Sequence, residues 1–206
     1  MPYTYFLLII LSFNLGGILF SYHLPKIIKG IDITSLSNDH NPGTTNAVQH
    51  AGWFVGILCL ICDMAKGFVP VFIAMRIVDS ESLLFSFIMV APVAGHAIAP
   101  LYKRNGGKAI ATSFGVLCGL LPTDYAVLLL AFWYIFFSVF MVIRPTSQRS
   151  IVTYRCFFIS TLISMVITRH FSYGIGCLLI ACIVIYKHKK AEAVEKTANE
   201  TREVTV

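Results

Sequence analysis

The sequence predicts an all-α integral membrane protein with about seven transmembrane or membrane-embedded helices. Of the 206 residues, 57% are apolar and 13% are charged, and the mean hydropathy is +0.77. A soluble domain carries about 25% charged residues on average, so this composition is that of a chain surrounded by lipid. The apolar residues also fall into seven stretches, and most basic residues lie between alternate pairs of them. One compact helical domain follows, with little chain left for a soluble module.

The seven apolar stretches are the predicted helices of this domain. A helix that crosses a hydrocarbon core roughly 30 Å thick needs about 20 residues, at about 1.5 Å per residue. The fourth stretch is shorter and is expected to be re-entrant or to cross a locally thin region. Residues 1–22 have no basic n-region and no small-residue cleavage site, so they are interpreted as the first helix and not as a signal peptide. The predicted helices lie near 4–22, 51–77, 83–101, 110–121, 124–143, 153–168 and 171–187.

The basic residues give the orientation, since Lys and Arg collect in cytoplasmic loops. One set of alternate loops contains 13 of the 16 Lys and Arg residues, whereas Arg76 and Arg169 lie in the opposite loops and Lys66 lies inside the second helix. The N-terminus is therefore predicted outside and the C-terminus in the cytoplasm. Residues 1–188 form the predicted membrane domain. Residues 189–206 are mixed in charge and poor in apolar side chains, which predicts a disordered cytoplasmic tail.

The six cysteines all lie inside apolar stretches. Cys59 and Cys62 have a C-x-x-C spacing, but no second pair and no histidine partner set follows it. They are interpreted as small apolar packing residues. No metal site and no cofactor are predicted.

Polar, glycine-rich loops interrupt this apolar chain. Irregular backbone at membrane depth is tolerated where it lines a polar cavity, so the loops are expected to share one site. Asn-Pro-Gly forms a tight turn, and N–H groups that open the next helix bind phosphate or carboxylate. The alternative is that Thr44, Thr45 or Asn46 only caps that helix. The loops read His40-Asn41-Pro42-Gly43-Thr44-Thr45-Asn46, Gly95-His96 and Gly106-Gly107-Lys108.

Charged residues in or beside the helices point to the same site. Asp63 and Lys66 are three residues apart and therefore share one face of the second helix. Either they form a structural ion pair between helices, or Lys66 also faces the polar site. Lys108 lies at a helix N-terminus, where the helix dipole disfavours a cation unless an anion is bound. This position favours an anionic ligand, whereas Lys103 is expected to join it or to contact lipid head groups.

The order of these polar blocks resembles that of the bacterial acyl-phosphate-dependent glycerol-3-phosphate acyltransferases, the PlsY family, over roughly residues 15–115. The family motifs are Asp-Ile-Arg, Gly-Ser-Gly-Asn-x-Gly-Ala-Thr-Asn, Asp-x-x-Lys-Gly, Gly-His and Gly-Gly-Lys-Gly-x-Ala-Thr. The blocks in this chain are Asp32-Ile33, Asn41-Pro42-Gly43-Thr44-Thr45-Asn46, Asp63-Met64-Ala65-Lys66-Gly67, Gly95-His96 and Gly106-Gly107-Lys108-Ala109-Ile110-Ala111-Thr112.

The resemblance implies transfer of an acyl group from acyl phosphate to the 1-hydroxyl of glycerol 3-phosphate, giving lysophosphatidate. It implies these two substrates and the lipid bilayer as partners, no nucleic acid, no cofactor, and the inner membrane of a bacterial cell. Lys108 would offset negative charge, and His96 or His188 would act as general base, although His96 at a helix end is also suited to bond a neighbouring carbonyl. The implied catalytic residues are His96, Lys108 and His188. The implied substrate-binding residues are Asn41, Gly43, Thr44, Thr45, Asn46, Lys66, Lys103, Gly106 and Gly107.

The chain departs from the family pattern at several motif positions. Because arginine binds phosphate in a bidentate geometry that lysine cannot reproduce, two of these changes weaken phosphate binding. They motivate two alternatives: a non-enzymatic homologue that binds acyl phosphate or phospholipid and regulates a membrane enzyme, and a small anion transporter that uses Asp63 and Lys66. The departures are Gly16-Gly17 for Gly-Ser, with Ser21 four residues later, Thr34 and Gln49 for Arg, Ser37-Asn38-Asp39-His40 for Gly-Ser-Gly, and Ala109 for Gly.

Overall fold

The residues that the structure describes contain ten α-helices and no β-strand. The computed structural model describes residues 2–37, 39–102 and 106–204, with backbone alone at 195 and from 197 onward. A π-helical turn at Phe136–Phe140 continues α8. The helices are α1 Pro2–Gly17, α2 Phe20–Lys29, α3 Ile33–Leu36, α4 Thr44–Ala51, α5 Trp53–Ile77, α6 Leu83–Ile98, α7 Ile110–Cys118, α8 Ala126–Ile135, α9 Thr146–Thr168 and α10 Phe171–Val204.

The long apolar helices confirm the predicted fold class. Four helical stretches have the length and hydropathy to cross a bilayer, and two shorter apolar helices lie between them. The first long stretch contains both α1 and α2, which are separated only at Ile18 and Leu19. The long stretches are Pro2–Lys29, Trp53–Ile77, Thr146–Thr168 and Phe171–Val194, and the shorter helices are Leu83–Ile98 and Ala126–Phe140.

The loops separate into two ends of the helix bundle. At the first end, the hydroxyl of Tyr5 in α1 donates to the carbonyl of Asp79 at 2.8 Å. Asp79 belongs to the α5–α6 loop, and Glu81 of that loop lies 2.9 Å from Nδ1 of His170 in the α9–α10 loop. The start of α1, the α5–α6 loop and the α9–α10 loop therefore meet at one end.

The second end gathers the end of α6, the start of α9 and the last part of α10. Lys187 Nζ donates to the carbonyl of Ala97 at the end of α6, at 2.9 Å. Gln148 near the start of α9 donates to Glu192 of α10 at 2.8 Å. Since Tyr5 lies at the first end, the start of α1 and the last part of α10 lie at opposite ends of the bundle.

α7 is the short helix predicted from the fourth apolar stretch. Its nine residues cover about half of a hydrocarbon core at about 1.5 Å per residue. Lys108, two residues before this helix, is bonded to Asp39 at the second end. Asp124, which follows it, lines a small cavity with His170 at the first end. The segment 108–124 therefore joins the two ends, as a short helix followed by turns.

Glycines allow α5 and α7 to approach closely. A Cβ atom at Gly67 would meet the backbone carbonyl of Thr112, and one at Gly115 would meet that of Met64. Small residues serve this purpose in membranes because helices there gain stability from close packing and not from leaving water. This contact fixes the α5 helix, and hence Lys66, beside the loop that precedes α7.

Two helices extend beyond their predicted bounds. α9 begins at Thr146 and not near 153, because Ser147 and Ser150 are buried against other helices and do not mark a loop. α10 continues to Val204, into the segment 189–206 for which the sequence predicts disorder. Alanine, glutamate and lysine in that segment are strong helix formers, so a helix there needs no apolar face.

Ala109 caps α7 in a backbone conformation that favours glycine. Its φ of 62° lies in the left-handed region, which costs a residue with a Cβ roughly 1–2 kcal/mol. The PlsY motif has glycine at this position. The chain therefore holds alanine in a conformation that glycine would adopt without this cost.

Ala109→Gly and Ala111→Gly remove the same methyl group from neighbouring positions but should differ in effect. The first removes the left-handed strain, whereas the second places glycine inside α7, which costs about 1 kcal/mol. We expect Ala109→Gly to be the more stable variant by about 1–2 kcal/mol. Thermal unfolding in detergent measures the difference, and equal losses in the two variants would contradict the assigned strain.

Candidate functional site

A lysine–aspartate pair lies buried between α1, α2, α5 and α6. Lys66 Nζ is 2.8 Å from Asp63 Oδ1, and both side chains are about 2% exposed or less. The ammonium group also donates to the carbonyl of Ile18 at 2.6 Å and to His96 Nδ1 at 2.7 Å. Ser21 Oγ donates to the other carboxylate oxygen of Asp63 at 2.5 Å. Both charges are therefore compensated by groups from four helices or helix ends.

The interruption between α1 and α2 supplies two of these groups. Carbonyls at the end of a helix have no intrahelical partner, and α1 ends at Gly17, which frees the Ile18 carbonyl for Lys66. Ser21 lies in the first turn of α2 and is fully buried. In the sequence, Ser21 stands out only as a serine four residues after Gly16-Gly17, where the family has Gly-Ser. No local pattern predicts its contact with Asp63.

His96 joins the buried pair to the glycine-rich loop before α7. It lies in the last turn of α6 and is 4% exposed. The amide of Gly107 donates to its carbonyl at 3.1 Å, and a Cβ at Gly107 would meet its Nε2 atom. Gly106 is equally constrained, because a Cβ there would meet the carbonyls of His96 and Ala97. The structure thus brings Lys66, His96, Gly106 and Gly107 together, as predicted.

The second half of the site lies around the carboxylate of Asp39. Lys108 Nζ is 2.8 Å from Asp39 Oδ2. Asn46 Nδ2 donates to Asp39 Oδ1 at 3.0 Å, and the amide of Asn41 donates to the same oxygen at 3.2 Å. Asn46 Nδ2 also donates to the carbonyl of Asn41 at 2.8 Å, which closes the Asn-Pro-Gly turn. Two residues predicted to bind substrate, Asn41 and Asn46, and one predicted to be catalytic, Lys108, therefore converge on a carboxylate that belongs to the protein.

The electrostatic balance of Asp39 follows from these contacts. Burial alone would raise the pKa of its carboxyl group, because burial disfavours the charged form. The hydrogen bond and charge of Lys108, with the donors Asn46 and Asn41, outweigh burial and hold the pKa below its ordinary value of 3.8. Asp39 is therefore an anion at neutral pH.

α10 adds two more residues to the site. His188 is buried, and its Nδ1 lies 2.9 Å from the carbonyl of Val184 one turn earlier. It interacts electrostatically with both Lys108 and Asp39. Lys187, which the sequence did not single out for this site, donates to the carbonyl of Ala97 and interacts with His96. The one feature of the sequence that could have indicated Lys187 as a site residue is its position at the end of the last apolar stretch.

Other predicted residues lie at the edge of the site. Gly43 is the N-cap residue of α4 and makes no side-chain bond, so the alternative of a cap from Thr44, Thr45 or Asn46 is wrong. Thr45 is exposed and Thr44 is partly exposed. Lys103 lies outside the described residues. No cluster of three or more potential metal ligands occurs among the residues described.

The positions at which the PlsY motif has arginine do not supply a cation. Thr34 is buried, and its hydroxyl and amide both donate to the carboxylate of Asp32, which caps α3. Gln49 is exposed on α4. The positive charge of the described site therefore comes from lysines.

These features define a polytopic, all-helical membrane protein with a buried lysine-containing site at one end of its helix bundle. The family described as Glycerol-3-phosphate acyltransferase matches residues 6–194. Glycerol-3-phosphate acyltransferase 2 of Thermotoga maritima is 32% identical over 193 residues, which is 93% of this chain and 92% of the relative. The glycerol-3-phosphate acyltransferase of Hydrogenobaculum sp. is 34% identical, with 89% of each chain covered.

A solved structure resembles the whole chain. It is the crystal structure of PlsY (YgiH), an integral membrane glycerol 3-phosphate acyltransferase, in its glycerol 3-phosphate form. The TM-score is 0.75 and the identity 25%, with 98% of this chain and 92% of that chain covered. The chain belongs to the glycerol-3-phosphate acyltransferase family, which confirms the resemblance seen in its motifs.

Asp63→Asn is expected to destabilise the protein by about 3–5 kcal/mol, because it leaves the Lys66 ammonium buried without a counter-charge. Adding Lys66→Met removes that charge and should recover most of the loss. Unfolding midpoints in detergent compare the two single variants with the double variant. Additive losses in the double variant would show that Asp63 and Lys66 are not coupled through charge.

The Asp39–Lys108 pair predicts a pH-dependent stability difference between wild type and Asp39→Asn. Since the folded-state pKa of Asp39 lies below 3.8, the pair stabilises the fold above that pH and ceases to do so as the pH falls through the lowered value. Wild type should unfold at a higher temperature than the variant at pH 7, and the gap should close below about pH 4. Lys108 and His188 are the charged or titratable groups that interact with Asp39, and both are present in wild type and in the variant. A gap that stays constant from pH 7 to pH 3 would contradict the assignment.

Proposed function

We propose that the protein transfers an acyl group from acyl phosphate to the 1-hydroxyl of glycerol 3-phosphate, which forms lysophosphatidate and releases inorganic phosphate. The observation that carries this proposal is the convergence of Lys66, His96, Gly107, Lys108 and His188 at one end of an apolar helix bundle. Cations and backbone donors at such a position suit a reaction between two phosphate-bearing molecules of which one carries a lipid tail.

The relatives support the same substrates. Several are named glycerol-3-phosphate acyltransferase, and the PlsY structures contain the protein in a glycerol 3-phosphate form and in a lysophosphatidic acid form. Acyl phosphate is the donor that the motifs imply. It carries a good leaving group, so the reaction needs no covalent intermediate on the enzyme and no cofactor.

Lysines and backbone amides stabilise the charge that develops during acyl transfer. As the hydroxyl attacks the acyl carbon, negative charge grows on the carbonyl oxygen and then on the departing phosphate. We assign Lys108 to the phosphate and the amides of Gly106 and Lys108 to the carbonyl oxygen, because the amide of Gly107 is already bonded to His96. Lys66, which is bonded to His96, adds a fixed positive charge on the buried side of the site.

His188 is better placed than His96 to act as the general base. Nδ1 of His96 accepts from Lys66, so in the neutral ring its proton sits on Nε2 and no lone pair remains for a substrate. Nδ1 of His188 lies at the carbonyl of Val184 and must donate to it, which leaves Nε2 as a free acceptor. We therefore assign His96 a positioning role and His188 the role of base.

The site end of the bundle is proposed to face the cytoplasm of a bacterial cell, with the protein in the inner membrane. Lys187, Lys189 and Lys190 of α10 lie at this end, and basic residues accumulate on the cytoplasmic side of membrane proteins. Glycerol 3-phosphate is a soluble metabolite, and this orientation lets it enter the site from the cytoplasm.

Lys108→Ala is expected to lower the turnover of purified protein in nanodiscs by about 100-fold or more, since one fixed charge at a developing oxyanion contributes on this scale. The assay mixes acyl phosphate with labelled glycerol 3-phosphate and measures acylated product. Lys189→Ala removes the same charge from an exposed position on α10 and should leave turnover unchanged.

Other outcomes of this assay would replace the proposed function. Folded wild-type protein that binds acyl phosphate but makes no product would favour the non-enzymatic regulator. Passage of an anion through proteoliposomes without acylation would favour the transporter. Turnover that survives Lys108→Ala would remove Lys108 from the reaction.

A further inference from the structure

The carboxylate of Asp39 occupies a cradle of three donors, and the proposed function assigns one of them, Lys108, to substrate phosphate. We propose that Asp39 is an internal anion that a phosphate group must displace, and that it thereby sets the affinity of the site for anions. The inference rests on the proposed function for the identity of the substrate. It concerns a residue at which this chain departs from the Gly-Ser-Gly stretch of the PlsY motif.

The donors come from separate parts of the chain and serve both oxygens of the carboxylate. Asn41 gives a backbone amide at 3.2 Å, Asn46 gives a side-chain amide at 3.0 Å, and Lys108 gives an ammonium at 2.8 Å. A backbone N–H, an amide and a lysine are the groups that bind phosphate oxygens at turns and helix N-termini. The carboxylate therefore stands where an oxyanion ligand would satisfy the same three donors.

The cradle keeps its shape without Asp39. The amide of Gly43 donates to the carbonyl of Asn41 at 2.9 Å, and Asn46 donates to that carbonyl at 2.8 Å. His40, whose φ of 47° turns the chain sharply, has its Nδ1 2.8 Å from the carbonyl of Thr34 in α3. None of these bonds involves the Asp39 side chain, so Asp39 can turn away while the donors stay in place.

The pair is also accessible to an incoming ligand. The side chains of Lys108 and Asp39 are 19% and 12% exposed, whereas those of Lys66 and Asp63 are 1% and 2% exposed. A dianionic phosphate offers more charge and one more oxygen than the carboxylate it replaces, but a monoanion offers no such gain. The apparent affinity for every anion falls in proportion to the fraction of time that the cradle is open. The additional charge and oxygen of a dianion offset that loss, whereas a monoanion has nothing to offset it.

Titration of inorganic phosphate into the purified protein in nanodiscs, with no acyl donor present, tests the inference. Asp39→Asn and Asp39→Ser should each bind phosphate about tenfold more tightly than wild type, because the competing anion is gone. Both variants should also gain affinity for acetate by about the same factor, because the closed fraction of the cradle limits every anion alike. Calorimetry measures both anions.

Two further variants separate competition at the cradle from a general charge effect. Glu81→Gln removes one negative charge at the opposite end of the bundle, from an exposed side chain, and should leave phosphate binding unchanged. The double variant Asp39→Asn with Lys108→Ala should show no gain, because the cation that Asp39 neutralises is absent. Equal gains in Glu81→Gln and Asp39→Asn would overturn the inference, as would unchanged or weaker phosphate binding in folded Asp39→Asn and Asp39→Ser.

The acyltransferase assay keeps this inference distinct from the proposed function. Tighter phosphate binding in the Asp39 variants, in a protein that makes no acylated product, would support the internal anion and reject the acyltransferase. Normal turnover in wild type with no change in phosphate affinity in the Asp39 variants would support the enzyme and reject the internal anion.

Discussion

A lysine ammonium buried at membrane depth is the constraint on which the arrangement of this protein depends. An ionised side chain in an apolar interior costs several kcal/mol unless a counter-charge and hydrogen-bond acceptors surround it. Lys66 has Asp63, the carbonyl of Ile18 and Nδ1 of His96 around it. The Ile18 carbonyl is free only because α1 ends there, and His96 is close only because α6 ends beside α5. The break after α1, the end of α6 and the buried ammonium of Lys66 therefore depend on one another.

The sequence predicts the periodic and local parts of this arrangement. The apolar stretches locate the helices, and the three-residue spacing of Asp63 and Lys66 places them on one face. Contacts between distant segments have no such local pattern. Ser21 and Asp63 are 42 residues apart, and Gly107 meets His96 only because of how α6 and the following loop pack. Boundaries were least predictable at α9, where buried serines resemble a loop in the sequence.

The departures from the family motifs fall into two physical kinds. Ala109 and His40 have positive φ values of 62° and 47°, which glycine adopts without strain, so at these positions the chain keeps the backbone path and accepts the cost. Thr34 and Gln49 change the chemistry instead, because neither supplies the guanidinium group that an arginine would. Sequence comparison alone does not separate these kinds. Backbone conformation does, because a positive φ identifies the positions at which a change affects the strain of the chain and not the chemistry of the site.

The two lysine–aspartate pairs differ in exposure, and this difference gives them different roles. Breaking the Lys66–Asp63 pair leaves an uncompensated charge among apolar helices, so this pair stays intact while the protein is folded. Breaking the Lys108–Asp39 pair returns both groups to partial hydration, and surface pairs contribute only about 0–1 kcal/mol. A ligand can therefore replace Asp39 at small cost but cannot replace Asp63. A site of this kind holds one positive charge permanently at depth and makes a second available at its mouth when an anion arrives.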